Sequence, residues 1–326
     1  MSAESFQKII LGSRGSELAR AQTVMVATAL RNVWAHLEIE VQFIRTSGDE
    51  KKGSASSQHA PLQEPRTGSS RYLGRKGLFT GEIERVLAAG GIDVAVHSAK
   101  DLPSDATPGL ELRGVLPRAA VEDVLIRTTP GGLADLSPNA VVATGSVRRQ
   151  HQLRWKRPGI QVVDLRGNVP TRLRKLMTSD WEAIVLARAG VERLGYDLSR
   201  GSFAFEGGSL HVETLSCEEF LPAGGQGVIA LQVRSDDDKA QKLVDCVNHP
   251  ETFLCLRAER EFLRLLNGDC DSPVGVLAVI DATTMRLSAQ VFEADRSAPR
   301  VGAVEGSVQG DVERLAAELM ERIHGA

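Results

Sequence analysis

The sequence predicts an α/β protein with two doubly wound modules and a smaller α+β unit at the C-terminal end. Three observations lead there. Short β-type runs alternate with amphipathic helical runs through residues 8–98, and the same rhythm returns through residues 140–190. Beyond residue 248 the pattern changes to one long helix, three strand-like runs and a last helix. With 326 residues and 42% apolar content, the chain is long enough for two or three domains with cores of their own.

The elements follow in order. KIILGS (8–13) reads as a strand, SELARAQTVMVATALRNV (16–33) as a helix and EIEVQFIRT (38–46) as a strand. LFTGEIERVLAAGG (78–91) reads as a helix and IDVAVHS (92–98) as a buried strand. Between the second strand and second helix, SGDEKKGSASSQHAPLQEPRTGSSRYLGRKG (47–77) is rich in Gly, Ser, Pro and charge and reads as a long loop or lid. In the second module AVVATGS, IQVVDLRG and EAIVLARAG read as strands, with helices VRRQHQLRWK and VPTRLRKLMT between them. NHPETFLCLRAEREFLRLL (248–266) is a long helix. VGVLAVID, MRLSAQVFE and VGAVEGSVQG read as antiparallel strands before the helix DVERLAAELMERIHG. No short tandem repeat is present.

Composition narrows the function. The balance of 39 Lys plus Arg against 42 Asp plus Glu gives a formal net charge of −3, which argues against a nucleic-acid binder with a generally basic surface. No run approaches the ~20 apolar residues of a membrane span, and the N-terminus does not read as a signal peptide. Four cysteines, Cys217, Cys246, Cys255 and Cys270, have neither the spacing of a zinc site nor the density of a disulfide scaffold, so no metal is expected and a reducing cytoplasm fits. Cys246 and Cys255 fall in helical patterns and read as core residues. Cys270 lies in the loop LLNGDCDSPVG, where exposure would let it act as a nucleophile or attachment point.

Against the slightly acidic total, residues 141–176 hold a dense basic cluster. In VVATGSVRRQ a strand runs into Thr144, Gly145 and Ser146 before a helix begins, so free backbone N–H groups and small hydroxyls sit at a helix N-terminus, followed at once by Arg148 and Arg149. VVDLRGNVPTRL repeats the arrangement with Arg166, Gly167, Asn168, a first-turn Pro170 and Arg172. Strand C-termini of an open α/β sheet are where ligands bind, and Arg suits bidentate recognition of carboxylates or phosphates. A ligand with several anionic groups is implied. Arg154, Lys156, Arg157, Arg174 and Lys175 read instead as a solvated helix face.

The first module adds matching pieces. LGSRGSELA puts Arg14 and Ser16 at another strand-to-helix turn, and GRKGLF puts Lys76 at the end of the long loop. VAVHSAKDLPS ends a buried strand in Ser98, Lys100 and Asp101. Asp101 is an acid candidate or a turn aspartate before proline; His97, within the strand, reads as a core histidine.

Eight stretches, GSRGSELARAQ, GRKGLF, VHSAKDLP, TGSVRRQ, LRGNVPTRL, LPAGGQGV, NHPETFLCLRAER and NGDCDSPVG, resemble the porphobilinogen deaminase family in the same order and along nearly the whole chain. The resemblance implies two domains like type-2 periplasmic binding proteins facing a cleft, at residues 1–116 with 228–245 and at 117–227, and a third at 246–326. It implies a dipyrromethane cofactor covalently held through a thioether at Cys270. It also implies an activity that adds porphobilinogen units head to tail with loss of ammonia, then hydrolyses off hydroxymethylbilane. By motif, Asp101 and Lys100 are the catalytic pair. Ser16, Lys100, Thr144, Ser146, Arg148, Arg149, Arg166 and Gly167 would hold the cofactor. Arg14, Gln22, Lys76, Phe79, Asn168, Arg172 and Arg193 would hold substrate. A cytoplasmic monomer with no nucleic-acid or membrane partner is implied as well.

The sequence departs from the family pattern in the length of the loop from Ser47 to Arg75, in Tyr72 where a lysine is usual, in Gly145 for serine, in Pro170 for glycine, and in the run AAVED after Arg118. A non-catalytic anion-binding module and an inactive homologue are the rival readings. The presence of Cys270 and Asp101 favours the enzyme.

Overall fold

The computed structural model describes residues 7–45, 77–266, 273–293 and 298–325, with side chains of 77–79 left undescribed. Lys76, Cys270, Tyr72 and the loop Ser47–Arg75 lie outside the described residues. In chain order the first elements are β1 (Lys8–Arg14), α1 (Glu17–Val33), β2 (Glu38–Ile44), α2 (Gly77–Ala88), β3 (Val94–Ser98) and β4 (Leu110–Val115). The second group comprises β5 (Asp123–Arg127), β6 (Val141–Ala143), α3 (Val147–Lys156), β7 (Gln161–Val163), α4 (Val169–Thr178), β8 (Ala183–Ala187), α5 (Arg188–Glu192), β9 (Ser202–Phe205) and β10 (Gly208–Leu215). Then come β11 (Ile229–Arg234), α6 (Asp238–Asp245), α7 (Pro250–Leu265), β12 (Val274–Asp281), β13 (Thr284–Val291), β14 (Arg300–Ser307) and α8 (Val312–His324).

The α/β class with a small α+β unit is present. The first sheet has the order β2-β1-β3-β11-β4; β1 runs parallel to β2 and β3, while β11 is antiparallel to both β3 and β4. The chain thus returns to its first sheet after visiting the second. Helix α1 starts where Ser16 Oγ accepts the Ala19 N–H at 3.3 Å, and it buries Thr23, Val26, Ala27 and Leu30, one face at 3.6-residue spacing. That face packs on Ile9, Leu11, Val94, Val96, Leu231 and Val233.

The second sheet has the order β7-β6-β8-β5-β10-β9, with β6 parallel to β7 and β8 and with β5 antiparallel to β8 and β10. Strands β5, β9 and β10 fall outside the alternating rhythm read from the sequence. The β9–β10 hairpin closes through Glu206 (φ 45°) and Gly207 (φ 82°), the two positive-φ positions of a tight hairpin turn.

Two passages join the sheets, and they run side by side: Ala119 N–H donates to Gly227 O at 3.1 Å. Gly227 has φ +83°, and a Cβ there would sit 2.5 Å from Ala119 O, so only glycine permits this approach. In the last unit β12, β13 and β14 form an antiparallel sheet covered by α7 and α8 around Phe262, Val276, Met285, Leu287 and Leu319. Glu259 of α7, wholly buried, accepts from both Arg118 terminal nitrogens (2.6 and 3.1 Å), from Gly225 N–H (2.7 Å) and from Ala278 N–H (2.8 Å). That carboxylate ties the passages to the third unit.

One cysteine differs from expectation. Cys246 is exposed because it caps the C-terminus of α6 rather than lying on its buried face, whereas Cys255 is buried within α7.

Candidate active site: the cleft between the two sheets

Strand-to-helix junctions from both sheets meet at this cleft. On the first side, β1 delivers Arg14 and the α1 cap delivers Ser16, while a short 3-10 turn, Ala99–Asp101, continues β3. Arg14, Ser16, Gln22, Thr80, His97, Ser98 and Asp101 line a common cavity of about 70 Å³. Within it the Gln22 amide donates to Ser98 Oγ at 2.9 Å and Gln22 Oε1 accepts from the same hydroxyl at 3.1 Å. Asp101 therefore opens into a small chamber of mixed lining, its polar groups set among Leu18, Ala19, Ile83 and Val96, which is more than a turn aspartate requires. His97 is buried and bonds Gln232 through Nε2 (3.1 Å); burial pushes its pKa down to about 4, against the opposing effects of Gln232 and Asp101. It is a neutral core histidine, as its place in the strand predicts.

The second side carries the arginines. Ser146 caps α3, accepting the Arg149 N–H at 3.5 Å, and Thr144 Oγ1 accepts the Ser146 N–H at 3.3 Å. Arg148 and Arg149 leave the first turn and are buried to 3% and 5% exposure. Arg148 donates to Gln152 Oε1 and Leu221 O, each at 2.8 Å, and Arg149 donates to Val185 O at 3.0 Å. Both pair with one carboxylate, Asp123, at 2.8 and 2.7 Å. Burial alone would raise the Asp123 pKa, but the charges of Arg148 and Arg149 and the hydrogen bonds from Arg149 and Gln226 outweigh it and hold the group well below the usual carboxylate range.

At the next junction Asn168 caps α4, accepting from Thr171 N–H at 3.0 Å, and Pro170 stands in the first turn, where its missing N–H costs nothing. Gly167 has φ +120°. Arg172 donates Nε–H to Gly167 O at 2.7 Å, whereas Arg166 is exposed and paired with Asp164 at 2.7 Å. A Cβ at Gly145 would lie 2.7 Å from Leu165 O, so the two junctions approach too closely for a serine there. Arg193, past α5, donates to Gly227 O at 2.7 Å and so reaches a passage between the sheets.

Electrostatics joins the two sides. Burial, then the Arg149 charge, push Lys100 down to about 8, with Asp101 and Asp123 opposing. Burial, then Arg149, push Arg172 down to about 10, with Asp101 opposing; burial alone does the same to Arg193. The cations in this cleft outnumber its carboxylates.

The structure thus brings Arg14, Ser16, Gln22, Lys100, Asp101, Arg149 and Arg172 toward one cleft, and it sets Arg148 behind them and Arg166 at the rim. Phe79 belongs to the first turn of α2, its side chain undescribed. Sequence reasoning missed Asp123 and Gln226, and it named Ser98 only as a strand end without its bond to Gln22. The available signal for Asp123 was a carboxylate, next to Glu122, opening the apolar run VLI. Arg154, Arg174 and Lys175 are exposed and Lys156 pairs with Glu219 at 2.9 Å, as a solvated face does.

The comparisons with known proteins agree along the chain. The family profile "Porphobilinogen deaminase, dipyromethane cofactor binding domain" matches residues 9–242, and "Porphobilinogen deaminase, C-terminal domain" matches residues 253–324. The porphobilinogen deaminase of Syntrophomonas wolfei is 40% identical over 87% of this chain and 85% of its own, and that of Roseiflexus sp. is 39% identical over 97% of both chains. The Thermus thermophilus protein of the same name is 38% identical over 95% of this chain and 93% of its own. Likeness to solved structures is looser: the periplasmic VFT2 domain of Bordetella pertussis BvgS covers 74% of this chain and aligns with 87% of that one at 13% identity, with a TM-score of 0.42. With both profiles in register and relatives of this identity over nearly its full length, the chain belongs to the porphobilinogen deaminase family.

Proposed function

We propose that this cleft joins porphobilinogen molecules into hydroxymethylbilane, as a transferase of tetrapyrrole biosynthesis, with Asp101 as the acid–base and charge-stabilising residue. The observation that carries this reading is the surplus of buried and half-buried cations in the cleft over its carboxylates, Asp101 and the arginine-paired Asp123. Each porphobilinogen brings an acetate and a propionate, so a growing chain accumulates negative charge that water in a closed cleft cannot solvate.

The residues fit the dipyrromethane cofactor of the family. The Nε–H groups of Arg148, Arg149 and Arg193 are buried and find no acceptor among the described residues, while other nitrogens of these side chains are engaged. Such donors suit carboxylates. We assign the cofactor to Ser16, Lys100, Thr144, Ser146, Arg148, Arg149, Arg166 and Gly167, with Cys270 as its thioether attachment point. When bound, dipyrromethane supplies a free pyrrole α-carbon that primes the chain.

In each condensation the aminomethyl C–N bond of porphobilinogen breaks, ammonia leaves, a C–C bond forms to the free α-carbon of the terminal ring, and that carbon gives up its proton. Cationic character develops on the pyrrole nitrogen. Asp101 accepts a hydrogen bond from that N–H and stabilises the charge, while Arg14, Arg172 and Arg193, with Gln22, Asn168, Lys76 and Phe79, hold the incoming ring by its side chains. Lys100, half-buried beside Asp101, adds positive charge below about pH 8.

We infer domains at residues 1–116 with 228–245, 117–227 and 246–326, and a monomer acting in the cytoplasm on a small-molecule substrate without nucleic-acid or membrane partners. In support, the net charge is −3 and no helix among the described residues is long and apolar enough to cross a membrane. The test is stoichiometry. Purified protein should release one ammonia per porphobilinogen consumed and one linear tetrapyrrole per four, and Asp101→Asn should slow this by at least about a hundredfold. Turnover by Asp101→Asn at the wild-type rate would overturn the assignment.

A further inference from the structure

Asp123 belongs to no step above, yet it is wholly buried at the centre of the arginine pair. Its two oxygens are divided: Oδ2 faces an Arg148 terminal nitrogen at 2.8 Å, and Oδ1 accepts from Arg149 at 2.7 Å and from the Gln226 amide at 2.8 Å. Gln226 lies on the returning passage between the sheets. The same amide nitrogen donates to Val121 O on the outgoing passage at 2.7 Å, and Gln226 O accepts from Arg118 Nε at 3.0 Å. The carboxylate is thus fixed to both passages, and the arginines are fixed to the carboxylate.

We propose that Asp123, tethered by Gln226, is a positioning residue that holds the paired guanidiniums of Arg148 and Arg149 so that their remaining donors are fixed in direction where the cofactor and the chain growing from it are held. This rests on the function proposed above. Five groups converge on the carboxylate's immediate surroundings: Arg148 and Arg149 from α3, Gln226 from the passage, and the Val185 and Leu221 carbonyls that take the arginines' other nitrogens. A guanidinium bonded on one edge to a fixed carboxylate and carbonyl cannot rotate, so its Nε–H direction is set before ligand arrives. The charge matters as well. Asp123 offsets part of the repulsion that Arg149 and Arg148 exert on Lys100.

The test compares wild type with Asp123→Asn, Asp123→Glu and Gln226→Met. Asp123→Asn should raise KM for porphobilinogen by about tenfold while kcat falls less, and should move the alkaline limb of the pH–rate profile to lower pH. Asp123→Glu should return that limb to its wild-type position. In a spectrum selective for arginine Nε–H groups, the slowly exchanging Arg148 and Arg149 signals of wild type should be lost in Asp123→Asn while the backbone amide pattern persists. If Asp123→Asn does not fold, Gln226→Met, which removes no charge, decides by the same signals and by a KM raised about threefold. A folded Asp123→Asn or Gln226→Met with unchanged KM, pH limb and arginine signals overturns the inference. Wild type that consumes no porphobilinogen would defeat the functional reading instead, and the arginine signals would still report on the clamp.

Discussion

The two strand-to-helix junctions of the second sheet share one sequence plan and differ in depth. At β6–α3 the arginines are enclosed, with Arg148 and Arg149 at 3% and 5% exposure around a carboxylate from another strand. At β7–α4, Arg166 meets only Asp164, two residues before it, with a side chain 59% exposed, and Arg172 turns back on the Gly167 carbonyl. The plan of strand, small turn and capped helix is local. What decides whether its guanidiniums are fixed in place or exposed at a rim is a counter-ion supplied from elsewhere in the chain.

The comparison breaks most visibly at the buried junction. Arg149→Met leaves Val185 O, Asp123 and Gln226 short of a donor and should cost on the order of 3 kcal/mol of folding stability, read as a lower urea midpoint, with loss of the cofactor-mass increment from the purified chain. Arg172→Lys, at the shallower junction, should leave stability within ~1 kcal/mol and raise KM about tenfold, because an ammonium cannot reproduce the fork. Arg166→Met removes an exposed pair and should shift stability by less than ~0.5 kcal/mol. A large loss there would mean that exposure misjudges the junction.

The pH dependence sharpens the same point. Lys100 is held near 8 in the folded chain against an ordinary 10.5, so between these values the unfolded chain binds the extra proton. This group's contribution to stability therefore rises with pH across that window. Substrate affinity should move the opposite way, with KM rising above about pH 8 as the cleft loses a cation. Lys100→Met should abolish both trends.

Much of this was legible in the sequence. Periodicity located β1, α1, β3, α3, α4 and the terminal antiparallel unit because those elements bury a regular face. The caps Ser16, Ser146 and Asn168 stand where small polar residues precede an apolar period. Strand β11 was not legible from periodicity, because only its pairing with β3 and β4 returns it to the first sheet; the family resemblance alone implied that residues 228–245 go back there. Asp123 escaped for a related reason. It is 26 residues from Arg149 and opens a strand, so no helical or motif spacing connects them. In the run AAVED it counted as a departure in charge, whereas the fold makes it the arginines' partner.

The most direct test of the whole account is the intact mass of the purified, denatured chain, before and after porphobilinogen is added in limiting amount. The account predicts a starting increment of two linked pyrrole units mapping to the peptide that holds Cys270, then a ladder of single-unit additions, all absent from Cys270→Ser. An unmodified mass that persists after incubation with porphobilinogen would contradict it.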